Sequence, residues 1–272
     1  MIRVKRLLRI ELRRAFFDNI WFLSAILLGL IITGWQLLQT VVPVACNLDK
    51  YINRPGYLFS RWIGGALMGV QPFLYYLLLP VIAVLPYAGS FFEDKKDGYL
   101  KNILIRAEKK NYLAAKYLAV FLSGGTAVVL PLFANFAVTA LLLPAIRPQP
   151  TTALYAIGAT SLWCDLFYSH PFLYVLLYLL IDFIFGGFIA AVALAVSYSA
   201  DHWFTVMFFP FLFYLFLFML FSFLGLDSFS PVNFLQASFG KNDIRIISIE
   251  TAALGLTGAA AFFGQGRSDD VY

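Results

Sequence analysis

Six long apolar runs, each of about 20 residues or more, constrain this chain more than any other feature. They cover approximately 20–44, 71–92, 117–145, 172–199, 204–224 and 246–264. A bilayer's hydrocarbon core of about 30 Å is crossed by roughly 20 residues of helix, and a helix satisfies its backbone polar groups without water. Composition agrees, since 61% hydrophobic and 13% charged residues leave too little polar surface for a soluble domain of 272 residues. The expected fold is an all-α polytopic membrane protein with six transmembrane helices. The third and fourth runs exceed the minimum length, so they are expected to tilt or bend, with Pro131 a candidate for the bend.

Basic residues set the expected orientation. With the N-terminus in the cytoplasm, fourteen Lys and Arg lie inside: Arg3, Lys5, Arg6, Arg9, Arg13, Arg14, Lys95, Lys96, Lys101, Arg106, Lys109, Lys110, Lys116 and Arg267. Six lie outside: Lys50, Arg54, Arg61, Arg147, Lys241 and Arg245. Both termini are therefore expected in the cytoplasm. The net charge of +5 belongs to this topology and not to nucleic-acid binding, because the cations cluster beside the apolar runs. The opening MIRVKRLLRIELRRAFFDN carries too many charges for the core of a signal peptide, so the first run is expected to remain in the mature protein.

Residues 1–19 read as an amphipathic helix in the cytoplasmic interface. Val4, Leu8, Leu12 and Ala15 share one face, with Arg6, Arg9 and Arg13 nearly opposite. Glu11 falls beside the apolar face and calls for a cation, from Arg13, Arg14 or a partner, unless it is simply solvated. Residues 20–264 form one six-span domain and 265–272 a cytoplasmic tail.

Between the second and third runs lies EDKKDGYLKNILIRAEKKNYLAAK, residues 93–116, with seven Lys or Arg and four Asp or Glu. Lipid cannot solvate it, so it belongs in water beside the membrane. Leu100, Ile103 and Leu104 have helical spacing within it. Gly98 permits a sharp turn before that short helix. Ile103 and Leu104 suit an apolar groove on a partner, with Lys101 and Arg106 orienting the contact.

These residues resemble the ABC-2 type family, the permease subunits of ABC exporters. Members open with a basic amphipathic helix holding a glutamate, here Glu11. After the second span they carry an acidic residue, a glycine, a short apolar helix, a basic residue and Tyr-x-x-x-Lys, matched by Glu93, Gly98, Leu100 to Leu104, Arg106, and Tyr112 with Lys116. Tyr99 and Ala107-Glu108 depart from the usual residues. The resemblance implies that 93–116 holds a coupling helix, seated in a groove of a cytoplasmic ATPase dimer that binds ATP and Mg. It implies a second permease subunit, identical or related, lipid as the remaining partner, and a bacterial plasma membrane.

No G-x-x-x-x-G-K-[ST] loop occurs in the chain, so ATP hydrolysis is expected on a separate polypeptide. The only histidines, His170 and His202, fall on opposite sides of the membrane, and no nucleophile or metal motif accompanies them. The chain is expected to have no catalytic residue, cofactor or metal of its own. Its cargo is expected to be hydrophobic or amphipathic: a peptide, drug or lipid-like molecule. Alternatives are a stand-alone carrier or channel, or a membrane immunity or scaffold protein that transports nothing.

Asp182 lies inside the fourth run, where it either lines a substrate path or accepts a hydrogen bond from another helix. Glu250 lies in the outer part of the sixth, within reach of Arg245. Small residues Gly187, Ala191 and Ala195, and Thr251, Gly255 and Ala259, form ridges for close helix packing, chiefly within the subunit. Residues 228–235 read equally as a re-entrant piece or an interfacial loop. Cys46 and Cys164 share the outer face, where they either pair or remain free thiols.

Overall fold

The computed structural model describes residues 4–47, 57–66, 69–150, 155, 157–158 and 160–268, and every regular element among them is helical. Five helices are long and apolar enough to cross a membrane: Ile20–Cys46, Lys109–Leu142, Pro171–Val196, Trp203–Phe223 and Ile244–Gly266. They mark an integral membrane protein. Arg3, Lys50, Arg54 and residues 269–272 of the expected tail lie outside the described residues.

The chain opens with α1 (Val4–Phe16), then α2 (Ile20–Gln36), which runs through a π-helical turn at Leu37–Val41 into α3 (Val42–Cys46). Asn19 caps α2 by accepting the amide of Trp21 at 2.9 Å. The π turn sits just before Pro43, whose missing N–H breaks the regular ladder.

The second apolar run differs from expectation. Instead of one unbroken helix over 71–92, the chain forms α5 (Val70–Val84), a turn, and α6 (Ser90–Lys96). Fifteen residues reach only about 22 Å. Pro86 stops the helix, because it has no N–H to give and its ring crowds the preceding turn. The carbonyl of Pro86 accepts the side-chain amide of Asn19, which joins this break to the start of α2.

After α7 (Tyr99–Leu104) comes α8 (Lys109–Leu142), 34 residues long, about 51 Å, with Pro131 inside. It starts well before the expected 117, since the charged residues 109–116 continue the helix without a break. Then follow α9 (Cys164–Ser169), α10 (Pro171–Val196), α11 (Trp203–Phe223), α12 (Pro231–Phe234) and α13 (Ile244–Ser268).

Helix α10 is the hub. It packs most extensively on α8, then on α13, and also on α5 and α11. The expected small-residue ridges make this possible within the subunit: a Cβ on Gly187 would lie 2.6 Å from the Phe121 ring. Asn135 of α8 ties down the end of the bundle remote from α1. Its side-chain amide donates to the Thr33 carbonyl (3.1 Å) and Gln36 Oε1 (2.8 Å), while its oxygen accepts the Ile63 amide at 2.9 Å. That last bond holds α4 (Leu58–Arg61) and the buried Trp62 and Ile63 against the bundle.

At the same end, residues 230–238 turn inward. Ser230, Val232, Phe234 and Leu235 are essentially fully buried. Tyr174 donates to the Ala237 carbonyl at 3.0 Å, the amide of Ser238 to the Gly64 carbonyl at 2.9 Å, and Asn242 Nδ2 to Tyr178 at 3.0 Å. The segment expected as a re-entrant piece or an interfacial loop is thus packed among the helix ends from Ser230 onward, while Phe229 stays exposed.

Candidate functional site

Where α1, α6 and α8 meet, the structure buries charge. Helix α1 presents Leu7, Glu11 and Ala15 inward, with Leu8 and Leu12 half-buried beside them. The inward row is thus one position away from the expected Val4, Leu8, Leu12 and Ala15 face, and Val4 is exposed. Glu11 drives that rotation, because its cation lies inside. Arg6, Arg9 and Arg13 stay exposed on the opposite side, and Arg13 pairs with Asp18 at 3.3 Å.

Lys116 of α8 is fully buried, and each of its three ammonium donors has an acceptor. Nζ lies 3.0 Å from Glu11 Oε2, 2.6 Å from Asp94 Oδ2 and 3.3 Å from the Tyr87 hydroxyl. Tyr87 in turn donates to Glu11 Oε2 at 2.7 Å, and Tyr112 to Asp94 Oδ2 at 2.7 Å. Arg14 closes the network from the rim, with Nη2 2.7 Å from Asp94 Oδ1 and Nη1 3.3 Å from Glu11 Oε1. Its guanidinium also lies 4.5 Å from the centre of the Tyr99 ring, the first residue of α7.

Burial alone would push the Asp94 carboxyl up, but Lys116 and Arg14 outweigh it and hold the group below the ordinary aspartate value. For Arg14, burial works against its charge, and the hydrogen bond to Asp94 and the field of Glu11 more than restore it. Asp94 and Arg14 therefore stay ionised as partners in the cluster. Such a group is held in place by mutual pairing and not by water.

Helix α7 stands outside this cluster. Gly98 precedes it in the left-handed region at φ 73°, the sharp turn expected of it. Leu100 is buried in the core. Ile103 packs with Leu7, Leu8, Ala107 and Ala115, and Leu104 is half-buried against the main core. These two, expected to face a partner, instead seat α7 on the protein. Ile105, at the end of α7, is 82% exposed, and Lys101 and Arg106 are exposed beside it. Glu93 is also exposed, whereas its neighbour Asp94 turns inward.

Asp94 was not singled out by its sequence. Its signal was present in Glu11 and Lys116, an acid and a base each adjoining an apolar helical face and so each in need of a buried counter-charge.

The remaining candidates lie apart. Asp182 of α10 is fully buried, with the Tyr76 hydroxyl 3.5 Å from Oδ2 and no hydrogen-bond partner for Oδ1 among the described residues. Cys46 and Cys164 are both free. They do not form the expected alternative of a pair: Cys46 is exposed at the end of α3, while Cys164 opens α9 and packs on the main core.

A family model described as a protein of unknown function (DUF2705) matches residues 40–162, somewhat less than half of the chain. That stretch holds α5 to α8, with Asp94 and Lys116, but not Glu11. No curated protein and no solved structure matches the chain.

Proposed function

We propose that this chain is the membrane subunit of an ABC-2 type exporter. In this reading it crosses the membrane six times, the interrupted α5–α6 segment being the second crossing, with both termini in the cytoplasm. Helix α1 lies in the interface and α7 is the coupling helix. A second permease subunit completes the path, a separate ATPase dimer binds ATP and Mg, and the cargo is hydrophobic or amphipathic.

The observation that carries this reading is the ion cluster behind α7. Asp94 and Lys116 flank the helix in sequence, and Glu11 and Arg14 clamp both from α1. A push on α7 is thereby transmitted to α6, α8 and α1 together, since none moves without breaking a buried ion pair. Ile105, between the exposed Lys101 and Arg106, is the side chain offered to the ATPase.

The test is co-purification with a candidate phosphate-loop ATPase, in mild detergent, comparing wild type with Ile105→Asp. An exposed position tolerates aspartate, so the variant should insert and melt like wild type yet lose the ATPase. Retention of the ATPase by the variant, or its absence from the wild type, sinks the coupling role.

The unpartnered oxygen of Asp182 favours a second reading, a stand-alone carrier that uses this carboxyl. That reading requires transport by the chain alone in liposomes without ATP.

A further inference from the structure

Helices α11 and α13 both lie on α10 but hardly touch one another. The cleft between them encloses about 320 Å³. Its floor is α10, including Phe185, and its walls carry Phe213, Tyr214 and Phe221 of α11 and Thr257 of α13. One carboxyl lines it, that of Glu250 of α13.

Glu250 is half-buried, and no hydrogen bond or ion pair joins it to a described residue. Arg245, the cation nearest in sequence, is exposed and forms no ion pair with it. A half-buried carboxyl in the outer part of a span is costly without a counter-charge, and an acyl chain filling the cleft would not supply one. A cation with an apolar body would, because its charge meets the carboxylate and its body meets the aromatic walls.

We infer that the α10–α11–α13 cleft is a binding site for a compact lipophilic ammonium ion, held by Glu250 and the surrounding aromatic rings. The inference goes beyond the exporter reading and does not depend on it, since binding is read on this chain without an ATPase. Charge complementarity sets the class of ligand: a neutral molecule of the same shape leaves Glu250 unpaired, and an anion is repelled by it.

The experiment titrates the purified full chain in phosphatidylcholine nanodiscs with three adamantane derivatives of one shape, the amine, the alcohol and the carboxylate, subtracting empty discs. The amine should saturate at one site per chain, the alcohol should bind about tenfold or more weakly, and the carboxylate should not saturate. Glu250→Gln should reduce amine affinity about tenfold and leave the alcohol unchanged, while Glu250→Asp retains the preference. Ala253→Trp fills the cleft with Glu250 in place and should abolish binding of both. Equal binding of amine and alcohol would overturn the inference, assigning the cleft to lipid tails. So would amine affinity unaltered by Glu250→Gln or Ala253→Trp, or no saturable binding at all.

Discussion

Lys116 Nζ and Glu11 Oε2 sit 3.0 Å apart, fully buried, although 105 positions separate them in the chain. Neither belongs to an obvious sequence pair. Their contact docks α1 along the start of α8 and converts a basic N-terminal segment into a packed part of the bundle. Removing two charges from water costs several kcal/mol each, and pairing offsets this only when the remaining donors and acceptors are also filled. Here Tyr87, Tyr112, Asp94 and Arg14 fill them.

Lys116→Met should therefore be among the most damaging single changes at this end of the bundle. It leaves two carboxylates buried with Arg14 alone, which lies at the rim, for a loss of about 3–5 kcal/mol. The thermal midpoint in detergent should drop, and hydrogen exchange in α1 should rise first. Adding Glu11→Gln to the same chain should recover part of the loss, because one orphaned charge is removed. If the double variant is no better than the single, the cluster is not held by charge.

Acid should release the same helix. Asp94 in the folded protein has a pKa below its ordinary value near 3.8, because Lys116 and Arg14 overcome the opposing effect of burial. The sign follows: a carboxyl with a lowered folded pKa adds stability that is fully present above the unfolded value. That stability is lost as pH falls through the folded value. Exchange protection of α1 should hold at neutral pH and fall once the pH passes below about 4. Asp94→Asn should lack this acid transition and show weaker protection at neutral pH.

At Gly98 the backbone sets the limit. Its φ of 73° is a left-handed conformation, and a Cβ there would meet nothing within 4 Å. Gly98→Ala should consequently cost only the conformational penalty, about 1 kcal/mol, and Gly98→Asn less. Both would keep the fold. If α7 must leave α6 at this angle to meet its partner, ATPase association should weaken more for Ala than for Asn, which pull-down titration would measure.

Much of this was legible in the sequence, and the exceptions have physical causes. Long apolar runs located the five long helices to within a few residues at most ends, because lipid leaves no other solution for them. The second run misled, since hydropathy averages over Pro86, which ends α5 at Val84 without making the segment polar. Helix α8 began earlier than expected for the reverse reason. Lys116 looks like a boundary by charge, yet its partners bury it inside a continuous helix. Gly98 was readable because only one residue type favours its conformation. Ile103 and Ile105 were not distinguishable, since a six-residue helix lacks the periodicity to show which side α1 covers.

Glycines in the spans should split by what lies opposite them. A Cβ on Gly124 of α8 would come within 2.6 Å of the Ala190 Cβ and 2.7 Å of the Ala83 carbonyl oxygen. A backbone carbonyl cannot rotate aside, so α5, α8 and α10 would have to separate. Gly124→Ala should destabilise by about 1–3 kcal/mol despite its better helix propensity. Gly258 faces Val192 Cγ2 at 3.2 Å and the Val192 backbone nitrogen at 3.4 Å, looser contacts than at Gly124, so Ala there should cost less than Gly124→Ala. Gly34 in α2 has nothing within 4 Å of the added carbon, so Gly34→Ala should stabilise by up to about 1 kcal/mol through helix propensity alone. Thermal midpoints of the three variants in one detergent should rank Gly34→Ala highest and Gly124→Ala lowest. The reverse order would mean that α8 and α10 do not meet at Gly124 and Ala190.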